Sequence, residues 1–146
     1  MRPGVIALAL GLTRRCPPCY NPTMQDVEDV SRWGIVGHAH AAQALQRAVD
    51  SGSPSHAYLI TGPHGIGKTT LAQALAAALL CQGAPPSPCG ACRACRLVAS
   101  GSHPDLHLVE SERPGASLGI DLVRDLQRQL ALTPLEGRWR LAVLGR

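Results

Sequence analysis

Ala57-Tyr58-Leu59-Ile60-Thr61-Gly62-Pro63-His64-Gly65-Ile66-Gly67-Lys68-Thr69-Thr70 is the stretch that decides the fold. Its first four residues are a short, mostly apolar run that reads as a buried strand. From Gly62 to Thr69 every fixed position of G-x-x-x-x-G-K-[ST] is met, the pattern of a phosphate-binding loop. Beyond it, Leu71, Leu75, Ala78 and Leu79 recur at helical spacing through an Ala-rich run that ends near Cys81. Strand, Gly-rich loop and helix in that order let backbone N–H groups and a helix N-terminus face a polyphosphate. The competing reading is a chance Gly-rich turn, and the strand before it and the helix after it weigh against that.

Lys68 is the only lysine among 14 Lys and Arg residues. A phosphate-binding lysine reaches the β- and γ-phosphates as a compact point charge on a flexible stem, which a planar guanidinium does not replace. The expected cofactor is ATP with Mg²⁺. Gly62, Pro63, His64, Gly65, Ile66 and Gly67 form the loop, Lys68 contacts phosphate, and the Thr69 hydroxyl faces the metal ion. Thr70 is grouped with the loop by position, with no separate role.

Six cysteines fall into two groups. Cys16 and Cys19 flank Pro17-Pro18 near the start, and neither redox nor metal chemistry is assigned to them. Cys89-x-x-Cys92-x-x-Cys95 places three thiols in one short loop, and Cys81 closes the preceding helix across a Gly- and Pro-rich hinge. Four thiolates suit a tetrahedral, structural Zn²⁺. An iron–sulfur cluster uses the same C-x-x-C-x-x-C run, but its usual fourth cysteine lies downstream before a proline. Disulfides require an oxidising compartment, at odds with a nucleotide site. Four free core cysteines suit a Pro- and Gly-rich loop poorly. His103 and His107 follow closely and are set aside as ligands because four cysteines suffice.

There is no Phe, and the aromatics are two Trp and two Tyr, so the core must be Leu, Ala and Val. No apolar run is long enough to cross a membrane. Residues 1–23 carry Arg2, Arg14 and Arg15, no acid, and the apolar run Val5 to Leu12. They read as a leader outside the domain, either a signal peptide or a start placed ahead of Met24, with the second favoured because Arg14-Arg15 occupy the place of a cleavage site. Without them, eleven basic residues face ten acidic ones, so the net charge of +4 is weak support for direct nucleic-acid binding. The domain is then residues 24–146, with a zinc module at 81–95 inserted, and the compartment is the cytoplasm.

Further along the chain, Asp26 to Val30 and His38 to Val49 read as helical, the second with Ala41, Ala44, Leu45 and Ala48 on one apolar face. Cys92 to Ser100 is a short helix stopped by Gly101. Leu106 to Val109 is a second strand, and Ser111 to Ser117 a polar loop. Asp121 begins a helix with Val123, Leu126 and Leu130 on one face. Pro134 to Gly137 is a turn, and Trp139 to Leu144 a third strand. Strands alternating with helices after such a loop predict a parallel α/β sheet of three strands, few enough to suggest the N-terminal part of a longer protein.

A phosphate-loop helix ending in Cys81 and followed by Cys89, Cys92 and Cys95 resembles the bacterial DNA polymerase III clamp-loader ATPases of the AAA+ class, over about Trp33 to Arg146. His56-Ala57-Tyr58-Leu59, His103-Pro104-Asp105-Leu106 and Ser117-Leu118-Gly119-Ile120-Asp121 look closer to the delta-prime type than to gamma/tau. The resemblance implies an incomplete AAA+ P-loop domain with a zinc insertion, in which Val36 and Gly37 lie near the adenine. Core packing is the competing reading for Val36 and Ile35. It implies a hetero-oligomer with other clamp-loader subunits acting on the sliding clamp and primed DNA, and no membrane. In hydrolysing members the third strand ends in an acidic pair; here Gly145 and Arg146 fill those places, so weak hydrolysis is expected. A gamma/tau-like motor and an unrelated P-loop kinase with a zinc lid are the alternatives.

Overall fold

The structure, a computed structural model, describes residues 4–12, 33–84, 86–110 and 119–145. The elements run β1 (Gly4–Leu12), α1 (Ala39–Asp50), β2 (Ala57–Gly62), α2 (Lys68–Leu80), α3 (Arg93–Ala99), β3 (Leu106–Glu110), α4 (Ile120–Leu130) and β4 (Trp139–Gly145). The expected helix at Asp26 to Val30, the loop at Ser111 to Ser117 and the pair Cys16 and Cys19 lie outside the described residues.

The strands form one sheet in the order β2-β1-β4-β3, and every neighbouring pair is parallel. The parallel α/β expectation holds, but the described residues form four strands rather than three. The difference is β1. Residues 4–12, read from sequence as part of a leader, pair with β2 on one side and β4 on the other. Leu8 sits opposite both Tyr58 and Val143 and is fully buried. A continuous apolar run is what the centre of a parallel sheet accepts, because both of its faces are covered. Among the described strands, β1 lies inside the sheet and β2 at one edge. Burial alternates along β2, and Leu59 is 71% exposed, so the buried strand expected at Ala57–Ile60 is corrected to a half-buried one.

The core lies on one face of the sheet. Leu8, Leu141, Val143 and Leu106 meet Leu71, Leu75 and Leu80 of α2, with Ala42 and Leu45 of α1 and Val98 of α3 completing the cluster. α2 is apolar nearly all round, as a helix covered on several sides must be; Ala72, Ala76 and Ala78 are buried beside its leucines. In α1 the buried positions are Ala42 and Leu45, whereas Ala41 and Ala44 are exposed. The apolar face is thus rotated from the one expected. Arg140 alternates with Leu141 and so faces the other side of the sheet, where its Nη1 donates to the Gln129 carbonyl oxygen of α4 at 2.8 Å. α4 lies there with Val123, Leu126 and Leu130 half-buried, the face expected from its spacing. No described helix is long and apolar enough to cross a membrane.

Candidate functional site

The Gly62–Thr69 loop joins the end of β2 to the start of α2. Gly65 and Gly67 have φ of 79° and 89°, a left-handed backbone that a side chain would strain. Gly67 is the N-cap of α2 and makes no side-chain cap, so the first N–H groups of the helix are left for another acceptor. Lys68, the first helical residue, folds back over the loop. Its Nζ donates to the carbonyl oxygens of Gly62 at 2.9 Å and Pro63 at 2.7 Å.

Beside the loop is a cavity of about 270 Å³. Among the residues singled out from sequence, Val36, Ile66, Gly67, Lys68 and Thr70 line it. Gly37, Gly62, Pro63, His64, Gly65 and Thr69 are not among its walls. Thr70, given no role of its own, is a wall residue. The sequence reading missed Thr61, Ile60 and Ala41, which also line it; the only signal for them was their place at the end of β2 and in the first turn of α1. One part of the wall is apolar (Ile35, Val36, Ile60, Ile66, Leu71), while Lys68, Thr61, Thr70 and His38 bring polar groups. Such a cavity can take a ligand that is part apolar and part polar.

The second site is a cysteine cluster. Cys81 is the C-cap of α2, Cys92 is the N-cap of α3, and Cys95 lies in the first turn of α3. Cys89 comes from the loop between them. The four sulfurs all lie within 4.8 Å of one another, and the thiols are free of disulfides. His103 and His107 are not in the cluster. Backbone N–H groups orient three of the sulfurs. Cys81 Sγ accepts from Gly83 at 3.4 Å and Cys89 at 3.5 Å, Cys89 Sγ from Cys92 at 3.4 Å, and Cys92 Sγ from Cys95 at 3.4 Å.

The bonds to the Cys89 and Cys92 sulfurs favour thiolates there. The Cys95 N–H is the main cause that brings Cys92 down to about 6. The Cys92 N–H likewise lowers Cys89. Burial pushes the Cys95 thiol up to about 12, so Cys95 is the group most in need of a positive charge beside it. Four sulfurs around a Zn²⁺ at about 2.3 Å would stand about 3.8 Å apart, which the observed cluster can reach with small side-chain adjustments. The residues present therefore fit a four-thiolate metal ion.

The family model described as "DNA polymerase III, delta subunit" matches residues 37–146. The chain is 35% identical over 111 residues to DNA polymerase III subunit gamma/tau of Mycobacterium tuberculosis, covering 75% of this chain and 19% of that protein. It is 51% identical over 73 residues to DNA polymerase III subunit delta' of Pseudomonas aeruginosa, covering 49% of this chain and 22% of the relative. It is 36% identical over 100 residues to DNA polymerase III subunit delta' of Bacillus subtilis, covering 68% of this chain and 30% of the relative. The chain thus spans about a fifth to a third of the length of these relatives.

Proposed function

This chain belongs to the bacterial DNA polymerase III clamp-loader-subunit family, the gamma/tau and delta-prime group, and on that premise we propose that it is part of a clamp-loader subunit that binds ATP but hydrolyses it poorly. The observation that carries the nucleotide reading is Lys68. It stands at the first turn of α2, bonded to its own loop carbonyls and facing the cavity. Gly62 to Gly67 with Lys68 would hold the phosphates of ATP, Thr69 its Mg²⁺, and Val36 and Gly37 the base. The nucleotide would supply binding energy and a charge at the N-terminus of α2. Zn²⁺ held by Cys81, Cys89, Cys92 and Cys95 would be structural.

Weak turnover is what the resemblance implies when β4 is aligned with the strand that ends in an acidic pair in hydrolysing members. Gly145 and Arg146 offer no carboxylate to act as a general base or to hold a metal ion. This favours a delta-prime-like role, in which the subunit works through its neighbours, the sliding clamp and primed DNA. A gamma/tau-like motor is the second reading, favoured by gamma/tau relatives that match 75% of the chain. Reconstitution of the parent protein with the other clamp-loader subunits separates the two. Phosphate release that is unaffected by Lys68→Ala supports the delta-prime reading. Release that disappears with this substitution supports the motor.

A further inference from the structure

The residues flanking two of the four cysteines are fastened to one distant turn. Gln82, next to Cys81, donates from Nε2 to the main-chain oxygen of Glu136 at 3.0 Å. Arg93, next to Cys92, pairs its Nη1 with Glu136 Oε1 at 2.5 Å. Leu80, on the other side of Cys81, is buried, and its Cδ2 stands 3.4 Å from where a Cβ on Gly137 would lie. The inner side of the turn is held by Asp105, which is fully buried. Its carboxylate accepts the N–H groups of Leu135 at 2.7 Å, Glu136 at 2.8 Å and Gly137 at 3.3 Å, and lies 3.6 Å from Arg140 Nε. After Gly137 the chain passes into β4 at Trp139. Glu136 is therefore gripped by the cysteine module through its carbonyl and carboxylate, and by Asp105 through its N–H.

We propose that Glu136 is a positioning residue that couples metal occupancy of the four cysteines to the turn at 135–137, and so to the start of β4. The inference rests on the metal-centre reading. An exposed ion pair alone contributes little, and the Arg93 side chain is 66% exposed. What strengthens the grip is restraint of its two donors. Gln82 and Arg93 directly follow Cys81 and Cys92, so a metal ion that ties the thiolates also fixes the backbone of both. Their contacts to Glu136 then form at a smaller loss of conformational entropy. Asp105 is the fixed anchor against which the turn is drawn.

Amide hydrogen exchange of the full chain tests this, with metal first stripped by a chelator and Zn²⁺ then added back. Zinc should slow exchange at Leu135, Glu136 and Gly137 by about tenfold or more. A Gln82→Ala/Arg93→Ala double variant should bind one equivalent of zinc as before, with the slowing cut to less than about twofold. Restoring Arg93 alone should recover part of the effect. Equal slowing in wild type and double variant overturns the proposal. So does a wild type that takes up zinc with no change at these amides, which leaves the metal centre standing. A chain that takes up no zinc removes the metal centre and the coupling together.

Discussion

A Cβ placed on Gly83 would lie 2.6 Å from the Cys89 sulfur and 3.1 Å from Cys89 Cβ. The cysteine loop closes because position 83 has no side chain. Gly83→Ala should push Cys89 out of the cluster while leaving α2, which ends at Leu80, in place. Zinc affinity is then expected to fall by about 10–100-fold, the range for losing a group that supports a metal ligand. Competition with a chromophoric chelator measures it. Unchanged affinity would mean that the loop adjusts without losing the Cys89 sulfur.

Besides the Cys92 thiolate, which is protonated as pH falls through about 6, acid should weaken the fold in two stages. His103 and His107 are both held below the usual imidazole value of 6.5 by burial, His107 with help from the Arg140 charge. His103 uses Nδ1 to accept the Asp105 N–H at 3.1 Å, so it is neutral in the fold. The unfolded chain binds these protons more readily. Their contribution is therefore present above about pH 6.5 and is lost as pH falls through the lowered folded values. The second stage belongs to Asp105. Burial alone would raise its carboxyl, but three backbone N–H groups and Arg140 hold it below 3.8. Its contribution is lost only as pH drops below the ordinary carboxylate value. Urea midpoints followed with chelator present should fall between about pH 7 and 5, and a His103→Gln/His107→Gln variant should lose less over that window. Equal slopes for the two proteins would contradict the assignment.

β1 owes its place in the fold to pairing rather than to any local signal. α2, α3, β3 and β4 were legible because each is fixed locally, by 3.6-residue periodicity, by Gly101 as a stop, or by short apolar runs beside turn residues. Val5 to Leu12 was just as apolar. Yet its flanking arginines and missing acids also describe a leader, and only pairing to β2 and β4 makes it a strand. The thiols and the Gly62–Thr69 loop were legible from spacing. Gly83 and Asp105 were not, because their roles depend on what the fold brings beside them: a sulfur at one and three N–H groups at the other. The rotated face of α1 has a similar cause, since an Ala-rich helix leaves the choice of face to its neighbours.

Removing residues 1–12 should therefore leave β2 without its strand neighbour. Burial of Leu8 alone contributes about 1.5–3 kcal/mol, so the truncated chain should unfold at a clearly lower urea concentration. A variant starting at Met24 with the same midpoint as the full chain would place the domain boundary at Met24 instead.

The most direct test of the nucleotide account is calorimetric titration of Mg·ATP and Mg·ADP into the wild type, Lys68→Ala and Lys68→Arg. The wild type should bind. Lys68→Ala should lose binding, because the phosphates lose the only lysine of the chain. Lys68→Arg should lose most of it, since a planar guanidinium does not replace a point charge in a tight loop. No binding by the wild type, or equal binding by all three, would contradict the claim that the Gly62–Thr69 loop is a nucleotide site.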